Sequence, residues 1–191
     1  MAANVERLLT VADLDAFPDD DGNRYELIEG VLYVSTAPGL PHQLVLNNLQ
    51  FELTSYLRTS KIGILVPGPG TIFSNYDAVI PDIVVIRRER WRNVTSEQRV
   101  TAAPDIVVEI LSPGSENRRR DLQVKRKLYS KYGVAEYWIV DNQDRSITIY
   151  RLQNQSLEKA ITLRDDDSLN SPLLPGFEAT VRTIFNYPTV A

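Results

Sequence analysis

Residues 103–133 read APDIVVEILSPGSENRRRDLQVKRKLYSKYG. The run from Ile106 to Leu111 shows no polar alternation, the mark of a strand buried on both faces, yet Glu109 sits inside it. An ionised carboxylate buried alone is strongly unfavourable, so Glu109 must be paired, protonated or bound to a cation. A helical segment follows from about Ser115 to Tyr132. On a wheel of about 100° per residue, Val124, Leu128, Tyr132, Tyr129 and Leu122 define its buried arc. Asp121 and Lys125 fall inside that arc, whereas Arg119, Arg120, Arg126, Lys127 and Lys131 fall on the far side. An Asp and a Lys four residues apart are also an ordinary surface pair, and a lysine can snorkel out of an apolar face. A buried strand followed by an amphipathic helix places the chain among α/β proteins.

The same pattern extends outward. TVADLDAFP reads as a short helix capped by Thr10 and stopped by Pro18, and RYELIEGVLYVSTA as two strands with a tight turn at Glu29 and Gly30. From Pro41 to about Leu57, the residues His42, Leu46, Leu49, Leu53 and Leu57 recur at helical spacing. GILVPGPGTIF has strand character broken by a Pro/Gly turn. AVIPDIVVI, APDIVVEILS, AEYWIVD and SITIYRL are further strands, with helical segments around Arg88–Arg99 and Ser115–Tyr132, and LLPGFEATVRTIF predicts an edge strand and a closing helical turn. Apolar strands interleaved with helices predict a mixed central sheet covered on both faces.

At 191 residues, 43% hydrophobic and 24% charged, the chain has the size and composition of one globular domain. No stretch approaches the roughly 18 apolar residues of a membrane span, and the polar start MAANVERLLTVADLD lacks a secretory pattern, so a cytoplasmic setting without membrane contact is expected. With no cysteine and one histidine, disulfides, thiolate sites and zinc centres built from several imidazoles are excluded. Any metal must be held by oxygen, which favours magnesium, manganese or calcium. The net charge of −4 argues against a protein that coats nucleic acid. Acidic triplets at Asp19–Asp21 and Asp165–Asp167 contrast with basic clusters at Arg87, Arg88, Arg90 and Arg92 and from Arg118 to Lys131. The basic clusters read either as a phosphate-facing surface or as solvated helix faces.

A second acid, Asp82, interrupts VIPDIVVI as Glu109 interrupts IVVEIL. Pro-Asp is also a common turn element. Two strand carboxylates with an inward Lys125 nearby suit phosphodiester hydrolysis with Mg2+ or Mn2+, because a cation reverses the repulsion between the acids.

IPDIVVI followed by VEIL resembles the PD-(D/E)XK nuclease superfamily, whose fold is the restriction-endonuclease-like core. More narrowly, YELIEG, the His42 helix, PDIVVEILSPGS, RRRDLQVKRKLYSKYGVAEYWIVD and ITIYRL look like a large bacterial family described as restriction endonucleases. The match runs from about Tyr25 to Leu152. It implies a single restriction-endonuclease-like domain with its core at about 25–152, a mixed central sheet flanked by helices, and an added N-terminal helix and β-hairpin. By the same resemblance, Asp82 and Glu109 would bind the metal. The motif's lysine position, two after Glu109, holds Leu111, and Lys125 would replace that lysine. Asp105, in the second Pro-Asp, starts the Glu109 strand and is read as a decoy. His42 would line the pocket, Glu26 would add a carboxylate, and Asp121 and Tyr129 flank Lys125 and would orient it. The function implied is a metal-dependent endonuclease acting on DNA, with room for a homodimer; the alternative is a catalytically inactive binding or assembly module that kept the fold.

Overall fold

The computed structural model describes residues 7–18 and 21–188, so Asp19 and Asp20 of the first acidic triplet lie outside the described residues. Helix α1 (Val11–Leu14) starts at Thr10, whose backbone N–H and hydroxyl both donate to Asp13. Strands β1 (Asn23–Ile28) and β2 (Val31–Thr36) form the expected hairpin, pairing Asn23 with Thr36 through Ile28 with Val31. Its turn takes positive φ at both central residues, 54° at Glu29 and 76° at Gly30, which matches the twist of the strands. A Cβ at Gly30 would also stand 2.8 Å from Leu8 Cβ, so two constraints select glycine there.

Helix α2 (Leu40–Ser60) buries His42, Val45, Leu49, Leu53 and Leu57, so Val45 takes the place expected of Leu46, which is only half-buried. The strands that follow are β3 (Gly63–Pro67), β4 (Thr71–Ser74), β5 (Asp77–Val79) and β6 (Ile83–Arg87). AVIPDIVVI is therefore two strands, not one. Pro81 lacks the N–H a ladder needs, and the chain leaves one sheet at Val79 to enter another at Ile83. Asp82 stands at that crossing. The predicted helix around Arg88–Arg99 shrinks to a 3-10 turn at Arg88–Arg90 and α3 (Trp91–Val94).

Strand β7 (Ile106–Ile110) leads into one helical run, α4 (Ser115–Arg119), a widened π turn over Arg120–Lys125, and α5 (Arg126–Tyr132), which ends at Gly133 with φ 82°. Next come β8 (Glu136–Asp141), β9 (Ser146–Gln153), β10 (Ser156–Arg164), β11 (Ser168–Ser171), β12 (Leu174–Thr180) and α6 (Val181–Ile184). The central sheet has the order β10-β9-β8-β7-β6-β3 and is mixed, since β7 and β8 run parallel and its other pairs antiparallel. A second sheet has the order β2-β1-β5-β4. The predicted tail strand pairs with β11 in a separate ribbon rather than at the edge of the main sheet.

Both faces of the central sheet are covered. Ile83, Val85, Ile106, Val108 and Trp138 meet Val45, Leu49 and Leu53 of α2, whereas Val84, Ile86, Val107, Tyr137 and Ile139 meet Leu128 and Tyr129 of α5. Side chains alternate along a strand, so Glu109 shares the face of Val107 and points toward the helix that carries Lys125. Among the described residues, no helix is long and apolar enough to cross a membrane.

Candidate active site

The antiparallel pairing of β6 with β7 sets Ile83 opposite Val108. Continued by one residue, that register brings Asp82 opposite Glu109. Asp82 fills the break in the ladder with its side chain, accepting the Ile110 N–H at 2.8 Å. Glu109 stands one residue from the carboxyl end of β7, closer to the strand end than the length of the apolar run implied.

On the helix side the wheel held for Asp121 and Lys125, both buried to 2% exposure, while the apolar Val124 and Leu122 that define its arc are only half-buried. The π turn explains the mismatch. A widened turn advances each residue by fewer degrees than a regular one, so its residues shift round relative to an α-helical wheel. It also releases a carbonyl from the regular ladder, and the Tyr137 hydroxyl donates to the Asp121 carbonyl oxygen at 2.9 Å. Arg120, expected on the solvent face, is instead turned inward, its side chain only 10% exposed, with Nε donating to Asp121 Oδ1 at 3.0 Å.

Lys125 Nζ lies 2.8 Å from Glu26 Oε1, 2.9 Å from Glu109 Oε1 and 3.9 Å from Asp121 Oδ1. The Tyr129 hydroxyl donates to the same Glu109 oxygen at 2.8 Å. Glu26 Oε1 also accepts the Ile80 N–H at 2.8 Å, which ties β1 to the segment leading into Asp82. His42, at the start of α2, sets Nε2 3.1 Å from Asp82 Oδ2. A carboxylate only accepts, so this contact places the imidazole proton on Nε2; Nδ1 is buried without a hydrogen-bond partner among the described residues.

Burial pushes the Glu109 carboxyl up to about 8, helped by the negative charges of Asp82, Asp121 and Glu26 and opposed by Lys125. Asp82 is buried too, but the hydrogen bonds from His42 and the Ile110 N–H, with the charge of Lys125, outweigh burial and hold its carboxyl below the usual value. Burial raises Asp121 against the pull of Lys125 and Arg120. Burial works against the charge of Lys125, yet Glu109, Glu26 and Asp121 raise its pKa, so it stays an ammonium. Two carboxyls side by side are thus driven in opposite directions, a frequent property of functional sites.

Asp82, Glu109, Lys125, His42, Glu26 and Asp121 all line one cavity of about 390 Å³, and Tyr129 stands behind Glu109. The sequence reading missed Arg24, whose Nη1 is 3.6 Å from Asp82 Oδ1, and Arg120. Arg24 had a signal, because it precedes Glu26 by two on one strand and therefore shares its face. Arg120 had none, since a π turn leaves no periodic trace. Leu111 is buried. Asp105 lies at the opposite end of β7, where it binds Arg87 and Arg90. Those two arginines of the first basic cluster are therefore structural partners of an acid, and not free for phosphate.

The donor chemistry fits a hard divalent cation. It is all oxygen, Glu109 Oε2 accepts no hydrogen bond from the described residues, and Asp82 Oδ1 has only the long contact to Arg24. No group of three His, Cys, Asp or Glu side chains among the described residues forms a ready metal cage. Two carboxylates completed by water and substrate oxygens match magnesium's habits rather than calcium's.

None of the curated proteins matches this chain. Among solved structures, the crystal structure of a putative nuclease from Anabaena variabilis ATCC 29413 is similar, with a TM-score of 0.74 and 19% identity over 93% of this chain and 97% of that one. At that identity the likeness establishes the fold. The model of the Uma2 family, described as "Putative restriction endonuclease", matches residues 11–182, and the chain belongs to that family.

Proposed function

We propose that this protein is a metal-dependent endonuclease that hydrolyses DNA phosphodiester bonds, with Asp82 and Glu109 holding Mg2+ or Mn2+. The observation that carries the reading is the meeting of two strand acids and a buried ammonium in one cavity, with a Glu109 oxygen that accepts no hydrogen bond from the described residues. A divalent ion held there by Asp82 and Glu109 would supply a Lewis acid for a phosphoryl oxygen and a lowered pKa for water. Lys125 keeps its proton and offsets negative charge that develops on phosphorus. Tyr129 and Asp121 hold the ammonium and its acid partner in place, and His42 fixes the orientation of Asp82. Arg24 and Arg120 face the same cavity and counter the charge of a phosphate entering it. The setting we propose is cytoplasmic. One copy presents one such pocket for one strand, so cutting both strands together calls for a homodimer.

The test is nicking of supercoiled DNA by purified protein with Mg2+ or Mn2+, which Glu109→Ala is expected to abolish. Equal residual activity in the wild-type and Glu109→Ala preparations would identify a contaminant and remove the enzyme reading. A second reading, a binding or assembly module without catalysis, is favoured by the engagement of Lys125 with three acids at once and by Leu111 at the motif's lysine position. DNA binding without nicking under either metal would select it.

A further inference from the structure

A second cavity, of about 320 Å³, adjoins the acid–lysine pocket and shares with it the wall made by Gly39, His42, Ser112 and Pro113. Its far side is built by Leu111, Asn142 and Tyr187. Both cavities open at the carboxyl ends of β7 and β8, the parallel pair, where open α/β sheets bind their ligands. The lining chemistry differs sharply between them. The first is crowded with charge; the second offers a phenol ring, proline rings and a leucine, with amides from Asn142 and Gln143 and one cation, Arg118, which is paired with Asp141.

The second cavity is held open by contacts that hold its walls in place. Asp141 accepts from both terminal nitrogens of Arg118, at 3.2 and 2.6 Å, and from the N–H groups of Gln143 and Asp144, which fixes the loop bearing Asn142. Asn48 Nδ2 donates to the carbonyls of Ile184 and Asn186 at 3.0 and 3.1 Å, and Arg145 donates to that of Phe185 at 2.9 Å. The segment presenting Tyr187 is thereby pinned from α2 and from the β8–β9 loop, and the Tyr187 hydroxyl contacts Asn142 Oδ1 at 3.4 Å.

A charged pocket suited to a phosphate, sharing a wall with a mostly apolar, aromatic-walled pocket at the small end of ligand-site volumes, matches the two halves of one nucleotide. We propose that the second cavity receives an unstacked nucleobase from the strand whose phosphate occupies the acid–lysine pocket, so the substrate is single-stranded or locally unpaired nucleic acid. This rests on the phosphodiester reading above. Within a duplex a base cannot reach such a recess without leaving its stack, and aromatic rings are the usual platform for a base that has done so.

The experiment crosses a protein change with a ligand change. Wild type, Tyr187→Phe and Tyr187→Ala are titrated, in EDTA to prevent cleavage, against a fluorescent single-stranded DNA and against an abasic strand of equal length, with binding read by anisotropy. Base stacking predicts that Tyr187→Ala weakens binding of the base-bearing strand about tenfold and leaves the abasic strand unchanged, while Tyr187→Phe resembles wild type. Equal weakening on both strands, or no change on either, overturns the base pocket and leaves the phosphodiester reading standing. Failure of wild type to bind either strand overturns both.

Discussion

Replacing Lys125 with methionine removes one charge and keeps most of the stem. The ammonium it deletes is 2% exposed and touches Glu26 at 2.8 Å and Glu109 at 2.9 Å, with Asp121 at 3.9 Å. At an effective dielectric of about 20, each of the two short contacts is an attraction of about 6 kcal/mol wherever its acid is ionised. Desolvation of the ions, several kcal/mol apiece, offsets much of this, and removing one partner of a buried ion pair costs about 3–5 kcal/mol. Among the described residues Arg120 is then the cation left within 4 Å of Glu26 and Asp121, so a loss of about 3–5 kcal/mol at neutral pH is expected. The sign with pH follows from Glu109, already pushed up to about 8 with Lys125 present. Without the ammonium it rises further, so the folded variant binds more protons than folded wild type. A carboxyl raised on folding withdraws stability as pH climbs from its unfolded value toward its folded one. The deficit therefore holds steady below about pH 8, where both folded forms keep the Glu109 proton, and grows above it, where wild type releases that proton and the variant does not. Urea unfolding in EDTA at about pH 6 and about pH 9, followed by fluorescence of the buried Trp138, measures it on both sides of that window. A deficit below about 1 kcal/mol at the higher pH, or one that grows on acidification, refutes the account of Lys125 as the counter-charge that this cluster requires.

Wild type is expected to show a Mn2+-dependent rise in Tm, about 2.7 kcal/mol at a hundredfold excess over Kd, and Asp82→Asn to abolish it; an unchanged rise in the variant would place the ion elsewhere. Asp77 accepts from the Glu29 N–H, Ser74, Lys131 and Tyr132, which joins the small sheet to α5. Asp77→Asn should cost about 2 kcal/mol at pH 7. Burial alone would raise the Asp77 carboxyl, but Tyr132, Glu29 and Lys131 hold it below the usual value, so its contribution is complete above the unfolded pKa and disappears as pH falls through the folded one. Denaturation series from neutral to acid pH should show the two proteins converging. Gly30→Ala meets both a left-handed φ and Leu8 Cβ at 2.8 Å, and a loss of about 2 kcal/mol, or roughly 4–8 °C in Tm, is expected by thermal unfolding.

The elements that could be read from sequence were those whose residues state their own environment. The unalternating strands gave the two-sided sheet, and Glu29-Gly30 gave the hairpin turn, because each rests on local chemistry. Asp82, Glu109 and Lys125 stood out because charge in an apolar run needs a reason. What stayed hidden depended on distant contacts. β10 buries little beyond Leu157 and Leu163, so its sequence carries no strong period, and it forms because β9 offers an edge. Pro81 announced a break, but not that the chain changes sheets there. Arg120 points inward because Tyr137, in a later strand, supports the widened turn.

That widened turn spends one residue more than a regular helix would over the same span. Deleting one of Leu122, Gln123 or Val124 would restore normal pitch and rotate everything upstream against everything downstream. The chain would lose no ionisable group, yet the guanidinium and the ammonium could no longer both face Glu26. The phase of this helix, set by its residue count, is therefore as much a determinant of the pocket as the identity of any side chain in it.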